Sequence, residues 1–153
     1  MRILSFDPGG TTGWALWEGN GDRIGTGYNF GQMGPGDHHL QLQQFVEQQH
    51  SGKDFQVVCE SFEYRQNQDR TTVSLVSVEY IGVLKLIEQD RSYTFNKVVW
   101  QTAAKGKAFW TDDKIKKLGL WWPGHKHAMD ALRHLLYYRA FELGDKDLFQ
   151  KLK

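Results

Sequence analysis

Ile3-Leu4-Ser5-Phe6-Asp7-Pro8-Gly9-Gly10-Thr11-Thr12-Gly13-Trp14-Ala15 is the stretch that decides how this chain reads. Ile3–Phe6 is apolar, so it reads as a buried strand. The acid at its mouth is followed at once by Pro-Gly-Gly, which turns the backbone. Asp7 therefore stands at a sheet edge and not on a solvated face. An aspartate that merely caps the turn through its own side chain is the ordinary alternative.

Working outward, the same arrangement recurs at Val57-Val58-Cys59-Glu60, where an apolar run again ends in an acid. If the two strands are parallel neighbours, both carboxylates emerge at one end of the sheet. Adjacent strands lie roughly 5 Å apart, close enough for two acids to share a divalent cation. Simple strand-end exposure is the bland reading of Glu60. A third motif is Lys126-His127-Ala128-Met129-Asp130-Ala131-Leu132. His127 and Asp130 are three apart and share a helix face, while Met129 and Leu132 belong to the buried side. Alone, such a pair is usually a surface hydrogen bond. Joined to two strand-end acids, the pair gains weight as a candidate.

The remaining elements follow from periodicity. Strands are expected at Met1–Phe6, Gly13–Glu18 and Arg23–Gly31, forming an antiparallel meander, and again at Phe55–Cys59 and Asn96–Gln101. Helical spacing covers His38–His50, Thr72–Glu88 and His125 to about Leu143, with a short helix at Asp112–Leu118. The order β-β-β-α-β-α-β-α predicts an α/β fold with a mixed five-stranded sheet flanked by helices, in a single domain spanning 1–153.

Composition narrows the class. With 40% hydrophobic and 24% charged residues the chain resembles an ordinary soluble protein. No apolar run approaches the ~18 residues of a membrane helix, and none reads as a signal peptide. The single cysteine, Cys59, excludes an intrachain disulfide and a cysteine-based zinc site, and a cytoplasmic location fits. Net charge is only +1, but it is unevenly spread: residues 1–60 carry three basic residues against seven acids, and residues 97–139 carry nine against three. Such asymmetry suits a protein that collects cations in one region and meets phosphate in another. Trp121 and Trp122, before Pro123, read as core or dimer-contact residues. His38, His39, His50, His125 and His134 lack recognisable metal spacing and read as solvated or locally bonded.

The opening segment resembles the Asp-Pro-Gly…Thr-Gly start of the RuvC Holliday junction resolvases, a branch of the ribonuclease H-like superfamily. Val57–Glu60 is similar to their second acidic strand, and His127–Leu132 to their final Asp/His-x-x-Asp-Ala-Leu helix. The resemblance implies Asp7, Glu60, His127 and Asp130 as catalytic, metal-binding residues. It implies two Mg²⁺ or Mn²⁺ ions cutting phosphodiesters, branched DNA as substrate with four-way junctions foremost, and a homodimer, with Thr72–Glu88 as the dimer face. Compact proteins of this kind are common in bacteriophages. By the same resemblance Phe62, Tyr64, Arg65 and Arg70 suit stacking and phosphate contact with opened DNA, and Lys105, Lys107 and Lys114 fall where phosphate-binding lysines are placed. A histidine at 127 removes one negative charge from the set, which is expected to weaken cation binding and to make activity depend on pH.

Three other functions are open on the same residues. The first is a YqgF-like nuclease acting on RNA. The second is a non-catalytic junction-binding protein, against which clustered carboxylates without a cation argue. The third is a nucleotide-binding domain of the actin-like and sugar-kinase type, whose phosphate loop Asp7–Gly13 also resembles. Those proteins use two such domains, and this chain has length for one.

Overall fold

In a computed structural model, residues 1–19, 27–34, 38–50, 55–62, 75–90 and 97–153 are described. The five strands β1 (Arg2–Asp7), β2 (Thr12–Glu18), β3 (Tyr28–Met33), β4 (Phe55–Glu60) and β5 (Val99–Gln101) form one sheet in the order β3-β2-β1-β4-β5. β1, β2 and β3 make the antiparallel meander, while β4 pairs parallel with both β1 and β5. The mixed α/β sheet is as the sequence predicts. β3 runs on to Met33 beyond the expected Gly31, and the earlier part of that prediction, through residue 26, lies outside the described residues.

β1 is central, so both of its faces are covered, and strand alternation sorts its side chains. Leu4 and Phe6 join Leu16, Val57 and Cys59 beneath α1 (His38–Gln49) and α2 (Val76–Gln89). Ile3 and Val58 face the other way, onto α5 (Lys126–Tyr137) with α3 (Ala103–Phe109) and α4 (Asp112–Lys117) beside it. Ser5 lies on this second face too, and its hydroxyl donates to the Ala131 carbonyl at 2.6 Å. Two positions further along each strand come Asp7, after Ser5, and Glu60, after Val58. Alternation thus delivers both acids to the α5 side.

α5 buries every residue from Ala128 to Leu136. Its first turn lies directly on β2, because a Cβ added at Gly13 would sit 1.8 Å from the His127 carbonyl oxygen. Gln32 of β3 completes the junction, its Oε1 accepting from the backbone N–H of His127 at 3.1 Å and of Ala128 at 3.4 Å. A side chain from the sheet therefore takes orphan donors of the helix start. Beyond Tyr137 the helix widens into a π-helical turn, Tyr138–Glu142, where an uninterrupted helix to Leu143 is expected from spacing.

α3 is an element that periodicity misses, because Ala-Ala-Lys-Gly-Lys-Ala-Phe centres on a poor helix former, Gly106. The glycine has a packing reason: a Cβ at Gly106 would stand 3.1 Å from that of Arg133, so its absence lets α3 lie close against α5. The short C-terminal α6 (Asp147–Gln150), anchored by buried Leu148, is a second. Among the described residues no helix is long and apolar enough to cross a membrane.

Gly13→Ala should be costly, because backbone and not a flexible side chain blocks the new methyl. We expect a loss of about 3 kcal/mol or more, read from the urea midpoint. Gly10→Ala, where a Cβ meets nothing within 4 Å, should stay within about 1 kcal/mol.

Candidate active site

The parallel register of β1 and β4 pairs Phe6 with Cys59, so Asp7 and Glu60 follow as neighbours at the sheet end. α5 brings His127 to the first of them: its Nδ1 lies 2.9 Å from Asp7 Oδ2. Asp130, one turn on, is buried at 4% exposure on the same face. The structure thus gathers the three acids and the imidazole picked out by sequence around one end of β1 and β4.

Burial raises the Asp7 pKa to about 6, and the negative charges of Glu60 and Asp130 push in the same direction, against the hydrogen bond from His127. Burial also pushes Glu60 upward, but it is outweighed, first by a hydrogen bond from His134 and then by the charges of His134 and Lys107, so its carboxyl sits below the ordinary value. Two neighbouring acids are driven apart by their surroundings.

His134 corrects the sequence reading. It is fully buried, neither solvated nor engaged only locally. Its Nε2 donates to Glu60 Oε2 at 2.9 Å, since a carboxylate only accepts. Its Nδ1 lies 2.9 Å from Gln101 Oε1 on β5, the residue that pairs with Glu60 across the sheet. The signal was in the spacing: 127, 130 and 134 stand at i, i+3 and i+7, a single stripe of one helix.

Arg133 was also missed. It is buried, its guanidinium reaches Asp130 Oδ1 and Asp112 Oδ1, and its Nε donates to the Trp110 carbonyl at 2.9 Å. Lys107, from α3, takes the other oxygen of Asp130 at 3.0 Å. Burial lowers its affinity for a proton, but the hydrogen bond and charge of Asp130, with Glu60 and Asp7, outweigh this and raise its pKa. Each carboxylate therefore has a basic partner. With their oxygens turned that way, no group of three or more His, Cys, Asp or Glu side chains among the described residues is arranged to hold a metal ion. What fits divalent cations is the donor chemistry: three mutually repelling carboxylates and one imidazole at a sheet end. Cys59 takes no part, because burial first, then Asp7 and Glu60, hold its thiol well above its usual pKa.

The other predicted positions divide. Phe62 is exposed just past β4 and lines a second hollow with Ile81, Lys85 and Trp100. Tyr64, Arg65 and Arg70 lie outside the described residues. Lys105 is exposed, with its ammonium 5.8 Å from the Tyr137 ring centroid. Lys114 is turned inward: Nζ donates to the Phe109 carbonyl at 2.9 Å and lies 3.4 Å from the centroid of that ring, closing the end of α3. Trp122 is no core residue. It is 38% exposed and stacked on His125, with ring centroids 3.4 Å apart.

Two stability effects follow. A folded-state pKa raised above 3.8 means that the Asp7 contribution is present below about pH 4 and lost as pH rises through about 6. In EDTA, Asp7→Asn should be more stable than the parent chain at pH 8 by on the order of 2 kcal/mol. That gap should close at pH 4, as thermal melts at both pH values would check. His134→Ala should cost about 2–4 kcal/mol at pH 7, leaving a cavity and depriving Glu60 of its donor.

No protein-family model and no curated protein matches the chain. Solved structures do. The Thermus thermophilus RuvC structure superposes with a TM-score of 0.59 at 16% identity, covering 94% of this chain and 97% of that one. T. thermophilus RuvC in complex with a Holliday junction substrate gives 0.56 at 14%, covering 95% and 97%. The fold is thus the ribonuclease H-like fold of RuvC.

Proposed function

We propose that this chain is a single-domain, Mg²⁺- or Mn²⁺-dependent endonuclease that cuts branched DNA, four-way junctions foremost. The observation that carries the reading is the meeting of Asp7 and Glu60, on adjacent parallel strands, with His127 and Asp130 on the helix laid across them. The likeness in fold to a protein solved with a Holliday junction supports the choice of substrate.

Asp7, Glu60, His127 and Asp130 would hold the cations. Bound there, divalent ions supply an activated water and charge stabilisation for the leaving 3′ oxygen. The chain's own groups prepare the site. His134 and Gln101 hold Glu60 in orientation. Arg133 fixes one oxygen of Asp130 and leaves the other to Lys107. Lys107 is the half-exposed partner, and on leaving Asp130 its ammonium is free to meet a phosphate oxygen. Phe62 and Lys105 serve as outer DNA contacts, with Tyr64, Arg65 and Arg70. Lys114, committed to Phe109, is reassigned to structure.

We also propose that two copies join through α2, making paired incisions possible. The helix turns Tyr80, Leu84 and Ile87 into its own core. It leaves Leu86 exposed, with Leu75 just before its start and Val78 in its first turn.

Labelled four-way junctions, flaps and linear duplexes, incubated with Mn²⁺, Mg²⁺ or EDTA, test the reading. Junctions should be cut fastest, and EDTA should abolish cutting. Asp7→Asn, Glu60→Gln and Asp130→Asn should each slow it by more than the roughly 10–100-fold typical of losing a ligand's supporting partner. Cutting that survives EDTA or Asp7→Asn would overturn the two-metal mechanism. Equal cutting of duplex and junction would remove the resolvase assignment and leave the nuclease.

A further inference from the structure

We infer that the cleft beside Asp130 is a binding site for one unpaired nucleotide of the DNA strand being cut. The inference rests on the nuclease reading of the neighbouring acids and shares Asp130 and Lys107 with it, but the aromatic wall it turns on, Trp121, Trp122 and His125, lies outside that set. The cleft, of about 780 Å³, lies between α3–α4 and the start of α5. That volume is in the range of small-molecule sites, roughly 300–1,000 Å³, and holds a nucleotide with room to spare.

Its walls specify the ligand. One side is aromatic: Trp121 and Trp122 both line it, and Trp122 stacks on His125 with their planes 10° apart. With His125 stacked on it and the Phe30 ring 6.0 Å away at 54°, the Trp122 indole is still 38% exposed, which leaves part of an aromatic ring open to the cleft. Flat rings of this kind receive nucleobases, whichever base is present, because every base has a π face. Bases in intact duplex have their faces stacked on neighbours, so only an unpaired or extruded nucleotide can use the wall.

The charges agree. Two acids line the cleft, Asp112 and Asp130, and Arg133 engages both. Lys107 and Lys126 line it as well, so cationic groups stand where a sugar-phosphate backbone would enter. The position agrees too. Asp130 belongs both to the cleft and to the acid cluster, so a strand lying over the acids passes the mouth of the cleft.

The test is photocrosslinking of the intact, metal-free protein to DNA carrying 5-iododeoxyuridine beside the exchange point of a four-way junction. A single strand and a linear duplex with the same label run in parallel, and the crosslinked peptides are mapped by mass spectrometry. We expect junction and single strand to crosslink at Trp121, Trp122 or His125, and duplex not to. Trp122→Leu keeps an apolar side chain but loses the ring, and it should weaken junction affinity about tenfold with unchanged circular dichroism. Junction binding with crosslinks only elsewhere, and Trp122→Leu binding as the parent does, would overturn the cleft and leave the nuclease reading standing. Crosslinking at Trp122 by single strand without any binding of junctions would keep the cleft and overturn four-way junctions as the substrate. Absence of binding to all three DNAs would overturn both.

Discussion

The first turn of α5 lies in backbone contact with β2 at Gly13, and the rest of the molecule's chemistry depends on that approach. β1 and β4 deliver two acids to the sheet end whatever the helix does, but a helix one methyl further away would leave His127 short of Asp7. Three devices hold the approach: the missing side chain at Gly13, the Gln32 amide receiving the helix's first N–H groups, and the Ser5 hydroxyl bonded to Ala131. All three come from strands of the meander. The meander therefore does more than extend the sheet; it is the seat on which the functional helix is registered.

Charge is the second organising theme. Burying carboxylates together is unfavourable unless cations or donors answer them. Here His127 answers Asp7, His134 answers Glu60, and Arg133 with Lys107 answers Asp130. These partners differ in how they are held. Arg133 and His134 are buried and fixed, whereas Lys107 and His127 retain about two-fifths of their side-chain exposure. Fixed partners suit orientation, and exposed ones suit exchange with an incoming ligand.

The strands and the acids were legible because they obey short rules. An apolar run ending in an acid, twice, with a glycine turn after the first, places Asp7 and Glu60 without any knowledge of the fold. His127 and Asp130 follow from a three-residue spacing. His134 escaped because the 127, 130, 134 spacing gives only a shared helix face, while its partner depends on which strand end lies beneath the third turn of α5. Arg133 escaped because buried arginines are rare and its partner Asp112 lies on another helix. α3 was hidden by Gly106, whose helix weakness is local and whose packing benefit is tertiary. Trp122 departs from only one half of its expectation, since its 38% exposure removes the core position and leaves the dimer contact open.

The tie that Arg133 makes among Asp112, Asp130 and the Trp110 carbonyl has a consequence for how this sequence can drift. Replacing this buried arginine alone leaves Asp130 to Lys107, and losing Asp130 leaves the guanidinium to the half-exposed Asp112. Changes at 130 and 133 are therefore coupled, with 112 joined to them more loosely. The first residue of α4 is thereby tied to a residue of the acid cluster.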